Sequence, residues 1–193
     1  MASLTPSFEQ VVARLSAIQA LRLSTTVYRS ATPEYAKEGD LLTGEGSRLH
    51  GSRWNPSGVA AIYASLSPET AMEESLAHYR FYSIPIRTAM PRMFVAIKVQ
   101  LTSVLDLTVG VNRRRLQIAE SRLLQSDWRS EMALGKEALP QLVGRAAKEA
   151  GFEAILVRSA ADKKGINLIV FPDNLHKTNT LVVLNAGKLS SGD

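Results

Sequence analysis

The chain has 193 residues, of which 45% are hydrophobic and 21% are charged, and 23 basic against 18 acidic side chains give a formal net charge of +5. This length accommodates one sizeable core, and the composition excludes a disordered or fibrous protein. Cysteine is absent, which excludes disulfides, thiol nucleophiles and thiolate metal sites, while the positive surplus favours an anionic partner such as nucleic acid or a nucleotide.

An amphipathic helix is predicted at the N-terminus, within residues 1–26. Apolar side chains share one helical face at Phe8, Val11, Val12, Leu15, Ile18 and Leu21. Glu9, Arg14 and Arg22 interrupt the apolar residues of this stretch, so it predicts neither a signal peptide nor a membrane span. We therefore expect a cytoplasmic protein.

Strands and helices alternate irregularly along the rest of the chain. A short apolar segment begins at Val27, and four glycines between positions 39 and 51 then mark a long loop. Hydrophobic periodicity and turn residues predict the elements that follow. They are strands at 59–64 and 93–101, helices at 68–80, 111–124 and 138–150, and strands at 154–157, 167–171 and 180–184. Residues 186–193 are expected to form a flexible tail.

This order of elements predicts a single α+β domain. Neither a repeat nor a low-complexity linker divides the chain, and the irregular alternation disfavours a regular doubly wound sheet. The sequence contains neither GxGxxG nor GxxxxGK[ST]. A bound nucleotide would therefore not be held by either of the familiar phosphate loops.

Polar and special residues are densest between positions 44 and 74. Arg53 and Trp54 stand in a glycine-rich stretch just before the predicted strand at 59–64. Glycines let the backbone approach a ligand closely, and a planar guanidinium matches phosphate oxygens with two parallel hydrogen bonds. This stretch is therefore a candidate substrate loop.

Several blocks of sequence, spread over residues 27–175, resemble the RES-domain family. The blocks are Tyr28-Arg29, Gly51-Ser52-Arg53-Trp54-Asn55-Pro56-Ser57-Gly58, Tyr63, the run SPETAMEE at 67–74, Gln141-Leu142-Val143-Gly144 and the run GINLIVFP at 165–172. Arg29, Glu74 and Ser159 match the arginine, glutamate and serine after which the family is named. The blocks also occur in the family's order, which makes the resemblance more specific than a lone motif.

The resemblance implies a RES domain over residues 27–185, with a core of short strands and flanking helices similar to ADP-ribosyltransferases. It also implies a toxin that degrades NAD by phosphorolysis or hydrolysis. A partner antitoxin with an Xre-like DNA-binding domain would neutralise it and form an oligomer with it. The chain departs from the family where Ser52 replaces a glycine, and the stretches 81–91 and 113–138 match nothing distinctive.

Four catalytic and four substrate-binding residues are predicted from the resemblance. The catalytic residues are Arg29, Tyr63, Glu74 and Ser159, and the substrate-binding residues are Tyr28, Arg53, Trp54 and Asn55. Nicotinamide leaves NAD as a neutral molecule, so its departure needs no acid, unlike that of an ordinary glycoside. A carboxylate under the ribose can stabilise the positive charge that develops there, which is the role expected of Glu74. Helical periodicity alone does not choose between Glu73 and Glu74, and the resemblance selects Glu74.

The other predicted residues have distinct roles. Arg29 and Arg53 are expected to pair with the pyrophosphate. Tyr63 is expected to stack on the nicotinamide ring, and Ser159 to hydrogen-bond near the nicotinamide amide or the ribose. Because NAD is the substrate, we expect neither a cofactor nor a metal, and inorganic phosphate is a candidate co-substrate.

Two other functions remain open from the residues. An ADP-ribosyltransferase would use the same arginine, tyrosine and glutamate but transfer ADP-ribose to a macromolecule. A nucleic-acid-binding protein would use the arginines of the predicted helix at 111–124. These are Arg113, Arg114, Arg115 and Arg122. Against this last function, the sequence lacks an aromatic-rich platform, a recognisable DNA-binding motif and a carboxylate cluster for metal-dependent cleavage.

Overall fold

The computed structural model of the protein describes residues 5–35 and 38–184. Within these residues, helices and strands form one domain around a single sheet. The α+β fold class predicted from the sequence is thereby confirmed. The tail predicted at 186–193 lies outside the described residues.

The described part of the chain contributes six strands to this sheet. They are β1 (Leu21–Ala31), β2 (Ile62–Ser65), β3 (Met93–Asp106), β4 (Ala154–Arg158), β5 (Ile166–Val170) and β6 (Thr180–Val183). Their order is β1-β2-β5-β4-β3-β6, and β1 also pairs with β3, so the first five strands in this order form a closed ring of pairings. Strands β3 and β4 run parallel, and the other described pairs are antiparallel.

Helices pack around the sheet. The α-helices of the described residues are α1 (Phe8–Leu15), α2 (Glu38–Thr43), α3 (Glu45–His50), α4 (Pro68–Phe81), α5 (Gly110–Leu116), α6 (Glu120–Leu124), α7 (Trp128–Ala133) and α8 (Leu139–Glu149). At the start of α4, the Ser67 hydroxyl accepts the backbone N–H of Thr70 at 3.1 Å, and Pro68 takes the first helical position. Within residues 5–35 and 38–184, no helix has the length and hydrophobicity needed to cross a bilayer.

Two apolar clusters cover the two faces of the sheet, because successive side chains of a strand point to opposite faces. On one face, Ile155 and Ile169 pack with helices α1 and α8. On the other face, Leu156 and Leu168 pack with Val27 of β1. Full burial of one such aliphatic side chain contributes about 1.5–3 kcal/mol to folding, so these faces hold the sheet and its helices together.

The N-terminal helix is shorter than its apolar spacing predicts. Helix α1 begins after Ser7, whose hydroxyl accepts the backbone N–H of Gln10, and it ends at Leu15. Leu21 opens β1 instead of extending the helix, and it lies opposite Val104 of β3. Because β3 supplies hydrogen-bond partners along nearly all of β1, tertiary pairing overrides the local helical periodicity.

Two further predictions fail in the region before α4. The long loop predicted at 39–51 contains the short helices α2 and α3, and the strand predicted at 59–64 begins only at Ile62. The Ser47 hydroxyl accepts the N–H of Ala61 at 2.9 Å and donates to its carbonyl at 2.6 Å. These hydrogen bonds to the Ser47 side chain take the place of the backbone hydrogen bonds that would extend β2 to Ala61.

The helix predicted at 111–124 is divided into α5 and α6. Gln117 ends α5 with a left-handed backbone (φ 58°). Arg14 of α1 donates to the carbonyl of Leu116 at 2.8 Å and to the side chain of Gln117 at 2.9 Å. Contacts with α1 thus stabilise the break between α5 and α6. Hydrophobic periodicity does not predict these contacts, because they join residues that are distant in the sequence.

Candidate active site

A cleft of about 820 Å³ lies between α4, α7, the strands β1, β2 and β5, and the loop at 51–54. Six of the eight predicted site residues line this cleft. They are Tyr28, Arg29, Arg53, Trp54, Tyr63 and Glu74. The other two, Asn55 and Ser159, lie behind its wall. The fold therefore gathers residues from separate sequence blocks around one cavity.

Glu74 lies on α4, next to the C-terminal end of β4 and the start of β5. Its Oε1 accepts hydrogen bonds from Ser159 Oγ at 2.5 Å and from Asn167 Nδ2 at 2.6 Å. Hydrogen bonds to an ionised carboxylate are stronger than neutral ones. Within the described part of the chain, Oε2 has no hydrogen-bond partner, so it can accept a bond from a ligand.

The hydroxyl of Ser159 is oriented by the turn that follows β4. It accepts the backbone N–H groups of Ala161 at 3.1 Å and Asp162 at 2.9 Å, which leaves its own hydrogen to donate to Glu74. Ser159 is only 4% exposed. Its hydroxyl is therefore engaged with Glu74, which is the geometry of a positioning residue, and its predicted contact with nicotinamide or ribose stays a prediction.

The turn at 159–165 is anchored to the same helix as Glu74. Thr70 Oγ1 of α4 donates to Asp162 at 2.7 Å, and this bond is the main cause of the lowered pKa of Asp162. Gly165 approaches Thr70 so closely that a Cβ would lie 2.5 Å from its side chain. The Ser159 hydroxyl and the Glu74 carboxylate that accepts its hydrogen bond are therefore held in fixed positions relative to each other.

Asn167 also lines the cleft, although it was not among the site residues predicted from the sequence. It is the second residue of the otherwise apolar strand β5 and lies opposite Ser65 of β2, whose hydroxyl donates to Asn167 Oδ1 at 2.8 Å. Because a carboxylate only accepts hydrogen bonds, the amide nitrogen must face Glu74. A buried asparagine within an apolar strand is the signal that could have found it.

The two adjacent glutamates of α4 have different surroundings. Glu73 forms an ion pair with Arg80 on the helix surface and is 39% exposed. Glu74 instead lines the cleft and is held by two donors. The alternative that helical periodicity leaves open is thereby decided in favour of Glu74 as the cleft residue.

Arg29 extends from β1 into the cleft wall beside Tyr28. Its Nη1 donates to the carbonyl of Leu41 at 2.9 Å, and burial lowers its pKa. Within residues 5–35 and 38–184, no carboxylate lies within 4 Å of its guanidinium. A half-buried arginine that keeps its charge without an acidic partner among the described residues favours an anionic ligand.

Arg53 is fixed by the segment that leads into α7. Its Nη1 donates to the carbonyls of Leu123, Leu124 and Ser126 at 3.1, 3.2 and 3.4 Å. Burial lowers the pKa of Arg53, and the nearby charge of Glu74 opposes this shift. No described residue accepts a bond from its Nε or Nη2, which leaves these groups for an anion in the cleft.

The hydroxyl of Tyr63 holds the loop at 51–58. It donates to Asn55 Oδ1 at 2.7 Å and accepts the backbone N–H of Trp54 at 2.9 Å. Burial raises the pKa of the Tyr63 hydroxyl. Its half-buried ring still lines the cleft, so stacking on nicotinamide remains a prediction compatible with this position.

Asn55 is not among the residues that line the cleft, and its predicted contact with the substrate stays a prediction. This residue is fully buried, and its amide donates to the carbonyls of Ser47 and Val59, both at 2.8 Å. Trp54 is only 3% exposed and packs into the core, and its carbonyl is so close to Gly144 of α8 that a Cβ there would lie 1.8 Å away. Asn55 therefore supports the loop from behind the cleft wall, whereas Trp54 reaches the wall with only a small part of its surface.

Helix α7 brings Trp128 and Arg129 to the cleft, and Arg92 and Arg158 also line it. The Arg129 guanidinium lies 4.3 Å from the centre of the Trp128 ring and 4.8 Å from that of Phe81. None of these four residues was predicted as a site residue, because the family blocks do not include α7 and no local pattern distinguishes Arg92 or Arg158 from other arginines.

The arginines considered for nucleic-acid binding do not share one continuous face, because the helix breaks at Gln117. Arg113 forms an ion pair with Glu120 at 3.0 Å. Arg122 donates to the side chain of Thr5 at 3.0 Å. Arg113 and Arg122 are thus engaged within the protein, which weighs against a phosphate-binding stripe formed by all four arginines.

Comparisons with known proteins agree with this arrangement. The profile of the RES domain matches residues 26–188. The NAD(+) phosphorylase MbcT of Mycobacterium tuberculosis is 28% identical over 165 residues, which cover 84% of this chain and 80% of that protein. The Prs ADP-ribosylating toxin of a Sphingobium species is 35% identical over 77 residues, which are 40% of this chain and only 45% of that toxin.

A solved structure shares the fold. A chain in the crystal structure of the M. tuberculosis MbcT–MbcA toxin–antitoxin complex superposes with a TM-score of 0.72 at 24% identity. The match covers 95% of this chain and 97% of that chain. The fold is therefore shared over nearly the whole length of both chains.

Proposed function

The chain belongs to the RES-domain family, and on this premise we propose that it is the toxin of a toxin–antitoxin pair and cleaves the nicotinamide–ribose bond of NAD. One observation carries the proposal. Glu74, the only carboxylate among the described residues that line the cleft, is held by two donors in a cavity rich in arginine. This is the charge arrangement that a reaction through a sugar cation on an anionic substrate requires.

The chemistry follows from the charge of the leaving group. Nicotinamide is cationic in NAD and departs neutral, so no acid is needed when the bond breaks. Positive charge then develops on the ribose, and the carboxylate of Glu74 stabilises it while Oε2 accepts a hydrogen bond from a ribose hydroxyl. Because Ser159 and Asn167 already fix Oε1, little reorganisation is needed in the transition state.

The arginines bind the other end of the substrate. Arg29 and Arg53 pair with the diphosphate of NAD through N–H groups that the protein leaves free. Tyr63 lies beside them and stacks on the nicotinamide ring. Tyr28 completes this wall of the cleft.

We propose phosphorolysis as the principal reaction. The relative MbcT, aligned over 84% of this chain, is an NAD(+) phosphorylase. Inorganic phosphate would then be a co-substrate, and the products would be nicotinamide and ADP-ribose-1″-phosphate. Neither a metal nor an organic cofactor takes part in this proposal, because the leaving group is already activated by its charge. Since NAD is a cytoplasmic metabolite, the site of action that we propose is the cytoplasm.

A second candidate is transfer of ADP-ribose to a macromolecule. It is favoured by the identity of 35% shared with the Prs ADP-ribosylating toxin. The same carboxylate and arginines would serve this reaction, since only the acceptor differs. The alignment spans less than half of that toxin, so it stands second to NAD degradation.

We also propose a partner antitoxin of the Xre type, on the strength of the family. The solved relative with the same fold is part of a toxin–antitoxin complex. A segment of the partner would occupy the cleft between the loop at 51–58 and Glu74. An acidic side chain or a terminal carboxylate on that segment would pair with Arg29 or Arg53.

Incubation of the purified chain with NAD, with and without inorganic phosphate, tests the reaction. We expect free nicotinamide in both cases and ADP-ribose-1″-phosphate only when phosphate is present, identified by mass spectrometry. Intact NAD under all conditions would contradict the proposed activity. ADP-ribose attached to a protein or nucleic acid would favour the second candidate.

A further inference from the structure

Charge is distributed unevenly around the cleft. Glu74 is the only acidic residue among its described lining residues, whereas arginine occurs at six positions. They are Arg29, Arg53, Arg80, Arg92, Arg129 and Arg158. The two phosphates of one dinucleotide do not require so many cations, so the cleft has charge available for a second anion.

Most of these arginines already donate hydrogen bonds within the protein. Those that do are Arg29, Arg53, Arg80 and Arg92. In the described ranges, neither Arg129 nor Arg158 has a hydrogen-bond acceptor in reach. These two guanidinium groups therefore retain all their N–H donors for a ligand.

Arg129 is fixed in place without using its donors. The faces of the Trp128 and Phe81 rings hold its guanidinium at 4.3 and 4.8 Å from their centres. Cation–π contacts of this kind orient the planar group and leave its edges open. Helix α7 is itself tied to the substrate loop, because Arg53 binds carbonyls of the segment at 123–126.

Arg129 and Arg53 act on each other and on Glu74. Burial is the main cause that lowers the pKa of Arg53, and the positive charge of Arg129 adds to it. Burial also lowers the pKa of Arg129, and Tyr82, Asp127 and Glu74 oppose this shift. Two partly desolvated cations that repel each other gain more from a divalent anion than an isolated, solvated arginine does.

The acceptor step explains why such an anion would bind here. In phosphorolysis, an oxygen of HPO₄²⁻ donates its electron pair to C1″ of the ribose, the bond from C1″ to nicotinamide breaks, and that pair leaves with nicotinamide. Phosphate needs no base because its oxygen is already anionic, whereas water must lose a proton. The dianion must however approach a carbon beside the negative Glu74, and fixed cations have to offset this repulsion.

We propose that Arg129, supported by the charge of Arg53, binds the acceptor phosphate beside Glu74 and so selects phosphate over water. This inference rests on the NAD cleavage proposed above and adds an acceptor subsite to it. It makes Arg129 a specificity-determining residue, supplied by a helix that lies outside the family's sequence blocks.

Titration of the purified full-length chain with inorganic phosphate at saturating NAD tests the subsite. Arg129→Ala is expected to raise the KM for phosphate about tenfold or more, which corresponds to the loss of a charged hydrogen bond, and to shift the product from ADP-ribose-1″-phosphate to ADP-ribose. The KM for NAD should stay close to that of the wild type. Arg129→Lys should recover part of the loss, because the charge remains without the fork.

Arg114→Ala is the matched control, since it removes an exposed arginine of α5 that does not line the cleft. A phosphate KM that changes no more in Arg129→Ala than in this control would overturn the subsite. A raised KM for NAD with an unchanged KM for phosphate would do the same, and would assign Arg129 to the dinucleotide.

Thermal melting with phosphate but without NAD gives a readout independent of turnover, and it also checks that each variant folds. Phosphate should raise the Tm of the wild type, of Arg129→Lys and of Arg114→Ala, but not that of Arg129→Ala. Equal shifts in all four proteins would overturn the subsite. If the wild type forms only ADP-ribose at every phosphate concentration, NAD cleavage stands and the subsite is rejected, whereas intact NAD throughout rejects both.

Discussion

The hydroxyl of Ser159 donates a hydrogen bond of 2.5 Å to Oε1 of Glu74 and so joins the end of β4 to α4. Asn167 adds a second donor to the same oxygen. The protein therefore fixes one oxygen of the carboxylate and leaves the other to the cleft. We therefore expect Ser159 and Asn167 to support the chemistry proposed for Glu74 without touching the substrate.

Ser159→Ala removes one of these donors and lets the carboxylate rotate. We expect the kcat of NAD cleavage to fall about 10- to 100-fold, because a hydrogen bond to a charged group is worth about 1.5–3 kcal/mol. The KM for NAD should change little. Steady-state kinetics of Ser159→Ala and Ser159→Thr check this, since threonine keeps the hydroxyl and should restore most of the rate. A higher KM with an unchanged kcat would show direct substrate contact instead.

Arg29→Ala and Arg53→Ala should each raise the KM for NAD, because each removes a guanidinium from the predicted diphosphate site. Arg29→Lys and Arg53→Lys should recover only part of the affinity, since an ammonium group does not reproduce two parallel hydrogen bonds. Initial rates over a range of NAD concentrations measure both effects. Four unchanged KM values would remove these arginines from the diphosphate site.

The hydrogen bonds of Glu153 predict an effect on the stability of the fold that is independent of activity. Its Oε2 accepts the backbone N–H groups of Thr102 and Ser103 at 2.8 and 2.9 Å, and its Oε1 accepts that of His176 at 2.9 Å. Glu153→Gln places an amide donor against N–H groups. We expect the free energy of unfolding at neutral pH to fall by about 1–3 kcal/mol, measured by urea denaturation. An unchanged midpoint would contradict this role.

The same hydrogen bonds of Glu153 predict that the free energy of unfolding depends on pH. Burial alone would raise the pKa of Glu153, but its hydrogen bonds outweigh burial and the pKa is lowered. Its contribution is therefore complete above the pKa of the unfolded chain and is lost as the pH falls through the lower pKa of the folded protein. The stability difference between the wild type and Glu153→Gln should shrink in acid, and a difference that grows would contradict the sign.

Expression of the wild-type chain in a bacterial host should arrest growth, and intracellular NAD should fall before viability does. The order matters because a nuclease or a ribosome poison would stop growth first and lower NAD later. Parallel measurement of NAD and colony-forming units over time checks it. Growth arrest that precedes any loss of NAD would contradict NAD degradation as the cause.

Local signals in the sequence were sufficient for some elements. Ser67 and Pro68 mark the start of α4 because a capping hydroxyl and a proline at the first position act within one turn. Apolar runs also located β4 and β5, which are buried on both faces. Arg29, Glu74 and Ser159 were identified through the family blocks rather than through any local physical property.

Other features depend on contacts that are distant in the sequence. The end of α1 is determined by the pairing of β1 with β3, and the break at Gln117 is held by Arg14. Asn167 joins the site through a strand that pairs with β2, and Arg129 joins it through α7. Periodicity describes only neighbours along the chain, so none of these relationships was predictable from it.

Comparison of Glu74→Gln with Glu73→Gln in a NAD-cleavage assay tests the central claim most directly. Both variants keep the side-chain shape and remove one charge from the same helix, and melting curves establish that both fold. Glu74→Gln should lower kcat/KM by about 10²–10³, the usual cost of losing one preorganised electrostatic group. Glu73→Gln, whose carboxylate pairs with Arg80 at the surface, should stay near the wild type. Equal losses in both variants, or a wild-type rate in Glu74→Gln, would contradict the account.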